Sequence, residues 1–451
     1  MATNDIVEKS NDIAHDEDVE KVSSDVAVEY VVDATAERRL VRRIDLRLVP
    51  ASMIIYLLCF LDRSNIGNAK LLNSSTGDSL VQKTHMTDQQ YLSALMVFLV
   101  SYTVFETPSN YMLKKFRPSR WLAFLMFGWG SMTMILGATH NFGGVVAIRF
   151  LLGAFEAGLF PGMVFCLTFW YKPEERALRV ALILACATLA GAFGGAIAFG
   201  VGHVNGARGL EAWRWLFLIE GAPSCAASFL VYILFPNFPE TEKWLSPSER
   251  ELAIRRLEGV GSLGHHKIIW SEARATLTDW RLYLHYLAYI SVSVPFSSIS
   301  LFSPTIVSGL GYEGLQAQLF TVPPYAIAFV VTVLVSWISD RQEARSIGAL
   351  VSMVIAGISF FVQGTPLSIL LLISSVISQN HQGALPQSSF KARYGMLCVA
   401  VSFSFSSIPP LLSWLTANLR NTGAATLAVP LNVSIGQIGQ IVGEFSILVF
   451  V

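Results

Sequence analysis

An all-α polytopic membrane protein is predicted by three features of the 451-residue sequence. Hydrophobic residues make up 53% of it and charged residues only 14%, and the mean hydropathy is +0.51. The apolar residues gather in repeated, nearly uncharged runs of about twenty, the length a helix needs to cross a bilayer. Those runs are continuous rather than alternating, so helices and not barrel strands must do the spanning. About 11 spans are expected, in two groups divided by a charged linker at 237–281.

Residues 1–37 are polar and acidic, without an apolar core or a cleavage site. They are expected to be a disordered cytoplasmic tail rather than a signal peptide. Arg38, Arg39, Arg42, Arg43 and Arg47 then form a basic collar before the first span. Basic residues favour the cytoplasmic side, so the N-terminus is expected to be cytoplasmic.

Residues 38–236 hold the first six helices. Span 1 (about 47–68) ends in FLDRSNIGNAK, which carries Asp62, Arg63 and Asn65. These are either interfacial charges reaching the headgroups or a cluster more polar than an anchor needs. Asn73-Ser74-Ser75 follows as a glycosylation sequon, a weak signal. Span 2 (about 89–113) contains Glu106 beside Pro108, and span 3 covers about 120–138.

The stretch 145–170 is the centre of the pattern, with Arg149 and Glu156 inside an apolar run of spanning length. Each charge at that depth costs roughly 2.5–3.5 kcal/mol on insertion scales, so such residues face a protein interior or a watery cavity. Seven residues are close to two helical turns, which puts the two on one face about 10 Å apart. Gly153, Ala154, Ala157 and Gly158 leave room for a neighbouring helix. Two readings stand: a functional polar site, or a charge pair that only locks two helices together.

Span 5 (about 177–202) contains TLAGAFGGAIAFG, whose small residues favour tight packing. No strand precedes these glycines, so a phosphate loop is excluded. Span 6 (about 213–235) has Arg214 near one end and Glu220 about a third of the way in. Glu220 is either functional or a structural partner for a neighbouring helix. In the linker 237–281, Ser246 and Ser248 are candidate caps near Glu249 and Glu251. His265 and His266 lie there as solvated loop residues.

The second half, 282–451, repeats the plan less cleanly. Spans are expected at about 282–308, 319–338 and 347–363, with Asp340, Arg341 and Arg345 between the last two. A span at about 394–416 should kink at Pro409 and Pro410. The last, from about 425, carries Gly436, Gly439, Gly443 and Glu444. Residues 365–390 are an atypical insert, with an apolar run too short to cross comfortably. They read as a re-entrant or interfacial piece, or as a product of imperfect splicing. The five cysteines lie in apolar runs without metal-ligand spacing, so neither a disulfide, a metal nor a cofactor is expected. Lys and Arg crowd the tail and the loops after spans 2, 4, 6 and 8, which fixes the expected orientation.

The motifs FLDRSNIGNAK, ETPSNYMLKKFRPSRW, RFLLGAFEAGLFPGMVF, FWYKPEERALR, WRWLFLIEG and PETEKWLSPSER resemble the anion:cation symporter family of the major facilitator superfamily. The nearest branch is the fungal permeases for allantoate, nicotinate and similar organic anions. The resemblance covers roughly 38–363 and 391–443. It implies a major facilitator fold of two six-helix halves, with the substrate between them near the bilayer midplane. Against that plan the second half is expected to be incomplete, with the sequence reaching only the eleventh helix.

The resemblance further implies that Arg63, Arg149 and Asn65 bind the substrate while Asp62 and Glu156 carry the coupling proton. Glu106 and Glu220 are secondary candidates, and Asp340 and Arg341 belong to a gating loop. Guanidinium chemistry agrees with this division, since its planar fork matches a carboxylate. Proton-coupled import of a small organic anion through the plasma membrane is expected. The partners are that anion, the proton and the lipid bilayer, with no nucleic acid, in a monomer. The alternative is a membrane sensor or an inactive truncated paralogue. An enzyme is not expected, since no nucleophile–base pair, metal cluster or cofactor motif occurs in the spans.

Overall fold

The computed structural model describes residues 34–257, 274, 278–312, 314–363, 390–418 and 422–450. Residues 1–42 and 43–451 form two separate units, and the second holds the helix bundle and its cavities. Most of the tail, the histidine pair of the linker and residues 365–389 of the atypical insert lie outside the described residues.

Among the described residues the chain is helical, with nine segments long and apolar enough to cross a membrane. The first half of the sequence forms α1 (Ala34–Leu71), α2 (Asp88–Lys115), α3 (Pro118–Leu136) and α4 (Phe142–Glu156). It continues with α5 (Leu159–Thr168), α6 (Pro173–Gly202), α7 (Ala212–Leu234) and the short α8 (Pro247–Arg255). The second half forms α9 (Trp280–Gly309), α10 (Val322–Arg341) and α11 (Arg345–Gln363). After these come α12 (Phe390–Ser406), α13 (Ile408–Asn418) and α14 (Thr422–Phe450).

Local chemistry sets the starts. Thr87 and Gln90 exchange side-chain and backbone bonds of 3.2 and 3.0 Å in a capping box at α2. The Asn141 side chain accepts the Gly144 amide at 2.8 Å and opens α4. Ser246 caps α8 with Glu249 answering it, while Ser248 only touches the Ser246 hydroxyl.

Two expected spans are broken in particular ways. The 145–170 stretch divides at Ala157–Gly158, where Gly158 takes φ +78. A side chain there would meet Ser109 at 2.7 Å, so glycine serves both the left-handed turn and the approach of α2. The span around 394–416 divides at Ser407, with Pro409 and Pro410 in the first turn of α13. Proline's missing N–H is harmless there, so the pair starts a helix where a kink within one was expected.

Within the first half, α3 packs on α7 and α2 on α4; within the second, α9 packs on α14 and α12 on α10 and α11. Across the sequence midpoint, α6 meets α10 and α13, and α2 meets α14. The glycines of α6 serve this contact, since a Cβ on Gly195 would fall 2.1 Å from the Thr321 hydroxyl. On α11, Ile347, Leu350, Val354, Ile358 and Phe361 are exposed at helical spacing, an apolar stripe suited to lipid.

One end of the bundle is tied by ion pairs. Arg43 meets both oxygens of Glu249 at 2.7 and 2.9 Å and donates to the Trp244 carbonyl. Arg47 lies over the Trp244 ring at 4.2 Å, and that ring stacks on Trp170. Arg179 clamps Asp45 at 2.6 and 2.7 Å, and Arg256 reaches Glu175 at 2.5 Å. The linker is therefore docked, through its described part, onto the helices that precede it.

Candidate functional site

Two adjoining cavities lie between helices from both halves of the sequence. The larger holds about 570 Å³ of non-atom space and is lined by Tyr56, Arg63, Tyr102, Tyr289, Gln437 and Gln440, among others. The smaller holds about 320 Å³ and is lined by Arg63, Phe98, Arg149, Ser297, Gln440 and Glu444, among others. Arg63 and Gln440 border both.

The charges around these cavities are arranged asymmetrically. Arg63 Nε donates to Glu156 Oε2 at 2.9 Å, and the Glu156 side chain is fully buried. The Cys59 thiol donates to the same oxygen at 3.5 Å. Arg63 also lies over the rings of Phe98 and Tyr102, at 5.1 and 4.8 Å. Arg149 approaches Phe98 at 4.5 Å, so one ring is shared by two guanidiniums.

Among the described residues Arg149 has no ion pair, and its Nε and Nη1 have no hydrogen-bond partner although it is almost entirely buried. Glu156 and Glu444 lie within its electrostatic reach. A buried guanidinium without a bonded partner is costly, and the deficit is one a bound anion would fill.

The site residues expected from sequence are thus distributed unequally. Arg63, Arg149 and Glu156 come together, although Glu156 pairs with Arg63 and not with Arg149 on its own helix. Glu106 borders the cluster and accepts a hydrogen bond of 2.6 Å from Ser434 of α14. Asp62 and Asn65 do not join them. Asp62 Oδ2 accepts from Ser224 on α7 at 2.5 Å, Glu220 lies beside Asn65, and none of the three lines either cavity. Asp340 is bonded by Arg345 at 2.7 Å, whereas Arg341 lies over Trp337 on the surface.

Glu444, Ser297 and the tyrosines are cavity groups that residue patterns do not single out as site residues. Glu444 accepts from Ser297 at 3.1 Å. A lone carboxylate in the apolar run of α14 is the available signal. Its position depends on Gly439 and Gly443, where a Cβ would fall 2.2 and 2.6 Å from the Ile290 and Val294 carbonyls of α9.

Comparison with known proteins agrees with this architecture. The MFS transporter prlL of Fungal sp. (strain NRRL 50135) is 51% identical over 445 residues, covering 97% of this chain and 86% of the relative. A protein of Agrobacterium vitis with a provisional tartrate-transporter name is 30% identical over 420 residues, covering 92% of this chain and 85% of its own length. The solved structure of the xylose transporter XylE from E. coli, partially occluded and inward open, has a TM-score of 0.63 at 15% identity. That match covers 88% of this chain and 90% of XylE, and it speaks to the fold. Residues 52–444, from the first span to the carboxylate of α14, match the description of the Major Facilitator Superfamily. The chain belongs to that superfamily.

Proposed function

We propose that the protein carries a small organic anion across a membrane together with protons, by alternating access between the two halves of the chain. The observation that carries this is Arg149, buried in the wall of the smaller cavity with two donors unbonded, beside the Arg63–Glu156 pair. Two guanidiniums offer planar forks for a carboxylate, and Phe98 between them holds their planes in place. The provisional tartrate assignment of the Agrobacterium vitis relative supports the anion class. So does the resemblance of the charged motifs to the anion:cation symporters.

Coupling is assigned to Glu156. A proton taken by its Oε2 removes the negative charge that holds Arg63, so the guanidinium turns to the substrate carboxylate. Release of the proton on the other side restores the pair and expels the anion. Asp62 faces away from both cavities and is left out of this exchange. The basic end of the bundle is taken as cytoplasmic, with the bilayer around the exposed apolar stripes and the protein acting as a monomer in the plasma membrane. The gating contact at that end is Asp340–Arg345 rather than Asp340 with Arg341.

The test is uptake of labelled organic acids by yeast expressing the full chain, at acid and at neutral external pH. Uptake of one acid, greater at acid pH and absent in Arg149→Ala, is the expected result. No uptake of any acid by correctly localised protein would overturn the proposal.

A further inference from the structure

Glu444 shares the smaller cavity with Arg149 but comes from the other half of the chain, and it takes no part in the exchange of anion and proton proposed above. It is fully buried on α14. Its Oε1 accepts from the Ser297 hydroxyl of α9 at 3.1 Å, while Oε2 has no hydrogen-bond partner. The approach of α14 to α9 fixes its place on the cavity wall. A Cβ on Gly443, the residue before it, would fall 2.6 Å from the Val294 carbonyl and 2.9 Å from the Ser298 hydroxyl.

Among the described residues that free oxygen has no donor to turn to. A hydroxyl carries one proton, and each serine of the cavity has already committed its own. Ser64 donates to the Leu61 carbonyl at 3.3 Å, Ser300 to the Phe296 carbonyl at 2.6 Å, and Ser297 to Glu444 Oε1. Gln440 borders the same space and makes no hydrogen bond with Glu444. Arg149 and Arg63 are the cations within its electrostatic reach, yet Arg63 is held by Glu156 and neither forms an ion pair with Glu444. One space of about 320 Å³ is therefore bordered by a residue with unbonded donors, Nε and Nη1 of Arg149, and by a residue with an unbonded acceptor, Glu444 Oε2. Both deficits are costly in a buried place, and they are opposite in kind.

We infer that Glu444 sets the specificity of the site by accepting a hydrogen bond from a hydroxyl or N–H that the transported anion carries beside its carboxylate. The inference rests on the anion-carrying reading and narrows it to a chemical class. A ligand with a carboxylate alone satisfies Arg149, but it leaves Oε2 stranded and adds a second negative charge to the same small space. A hydroxy acid, or an acid with an amide nitrogen, offers an acceptor to Arg149 and a donor to Glu444 at once. Such a ligand is held by Arg149 from the first half and by Glu444 from the second, so it bridges the parts that alternating access must move together. A site that hydrogen-bonds a ligand hydroxyl also rejects the analogue lacking it far more strongly than an apolar wall rejects an added one.

The experiment is thermal unfolding of the purified full chain in detergent, at fixed neutral pH and constant ionic strength, with potassium salts of acids that differ by one hydroxyl. The pairs are lactate and propionate, malate and succinate, mandelate and phenylacetate. The hydroxy member should raise the midpoint saturably, as a ligand of the folded state does. Its half-saturating concentration should lie at least about tenfold below that of its partner, the preference a hydrogen bond to a charged group gives. Glu444→Gln keeps the size and an acceptor for Ser297 but puts an amide donor in place of Oε2, so the preference should collapse to near equality. A merely structural role for Glu444 would instead weaken both members alike and leave the preference intact. If Glu444→Gln does not fold, the wild-type comparison decides the matter. Equal half-saturating concentrations within the pairs, or an unchanged preference in Glu444→Gln, would overturn the inference and leave the anion reading standing. Preference for the unsubstituted members would overturn it as well, since Glu444 would then be a donor. No response to any of these acids, together with no uptake of any acid by cells, would remove the anion reading and this inference with it.

Discussion

The two sides of α1 at Asp62 and Arg63 hold opposite electrostatic solutions within one turn of helix. On the Arg63 side the carboxylate of Glu156 is paired at 2.9 Å, and the unpaired charge is positive, on Arg149. On the Asp62 side two acids, Asp62 and Glu220, sit among the neutral polar side chains of Ser224, Trp129, Thr133 and Asn65, and neither lines either of the two cavities. The first arrangement opens to the space between the halves, where a substrate could come and go. The second is sealed within one half. Buried ionisable groups therefore mark different things on the two sides: an unpaired guanidinium where there is access, and carboxyls set among neutral polar neighbours where there is none. Burial alone would not separate them; the partners of each group and its access do.

The largest effect that separates the sides is expected from Arg149→Ala. Removing a desolvated charge that meets a substrate carboxylate typically costs about 2–5 kcal/mol, so uptake should fall by about two orders of magnitude or more, with surface expression near normal. Arg149→Lys should restore little, because an ammonium lacks the planar fork. Retained uptake in the alanine variant would remove Arg149 from the site. Next in size is the contrast between Glu156→Gln and Asp62→Asn. The first should flatten the pH dependence of uptake while sparing counterflow exchange. The second should keep the pH dependence and lower thermal stability. A reversed outcome would move the coupling proton to the Asp62 side and break the comparison.

A smaller effect is expected at the contact that closes the halves near the end of α1. A Cβ on Gly67 would fall 2.1 Å from the Leu301 carbonyl of α9, so Gly67→Val cannot keep that approach. Net uptake should fall several-fold while substrate protection of an introduced cavity cysteine persists. Full uptake in this variant would mean that the α1–α9 contact is not part of the transport cycle.

Much of this molecule is legible from residue order, and the limits have physical causes. Span positions follow from apolar runs, because no other element satisfies a backbone in lipid. Arg149 and Glu156 stand out because charge in such a run is costly. Their partners cannot be read, since Arg63 reaches Glu156 from 93 residues away. Adjacent residues on a helix are about 100° apart, so Asp62 and Arg63 point in different directions, and the motif alone does not say which of them lines the cavity. The breaks at Gly158 and Ser407 depend on what packs beside them, and Glu444 takes its meaning from the glycines that press α14 onto α9.

The smallest effect concerns an acid outside the spans, and it sharpens the coupling role proposed for Glu156. Asp78 lies in the loop after α1, where it accepts from Lys83 at 2.9 Å, Asn205 at 2.8 Å and Thr76 at 3.0 Å. The Lys83 contact first, then Asn205 and Thr76, hold its carboxyl down at about 2, and Lys83 is raised in return. A depressed carboxyl contributes stability above its unfolded value of about 4, and that contribution is lost only as pH falls through the folded one. Over the mildly acid range in which uptake should rise, Asp78 thus stays ionised and its bonds persist. Asp78→Asn should leave the pH profile of uptake unchanged and lower thermal stability slightly, as expected of an exposed ion pair. A shifted pH profile in that variant would place part of the coupling in the loop, and Glu156 would no longer account for it alone.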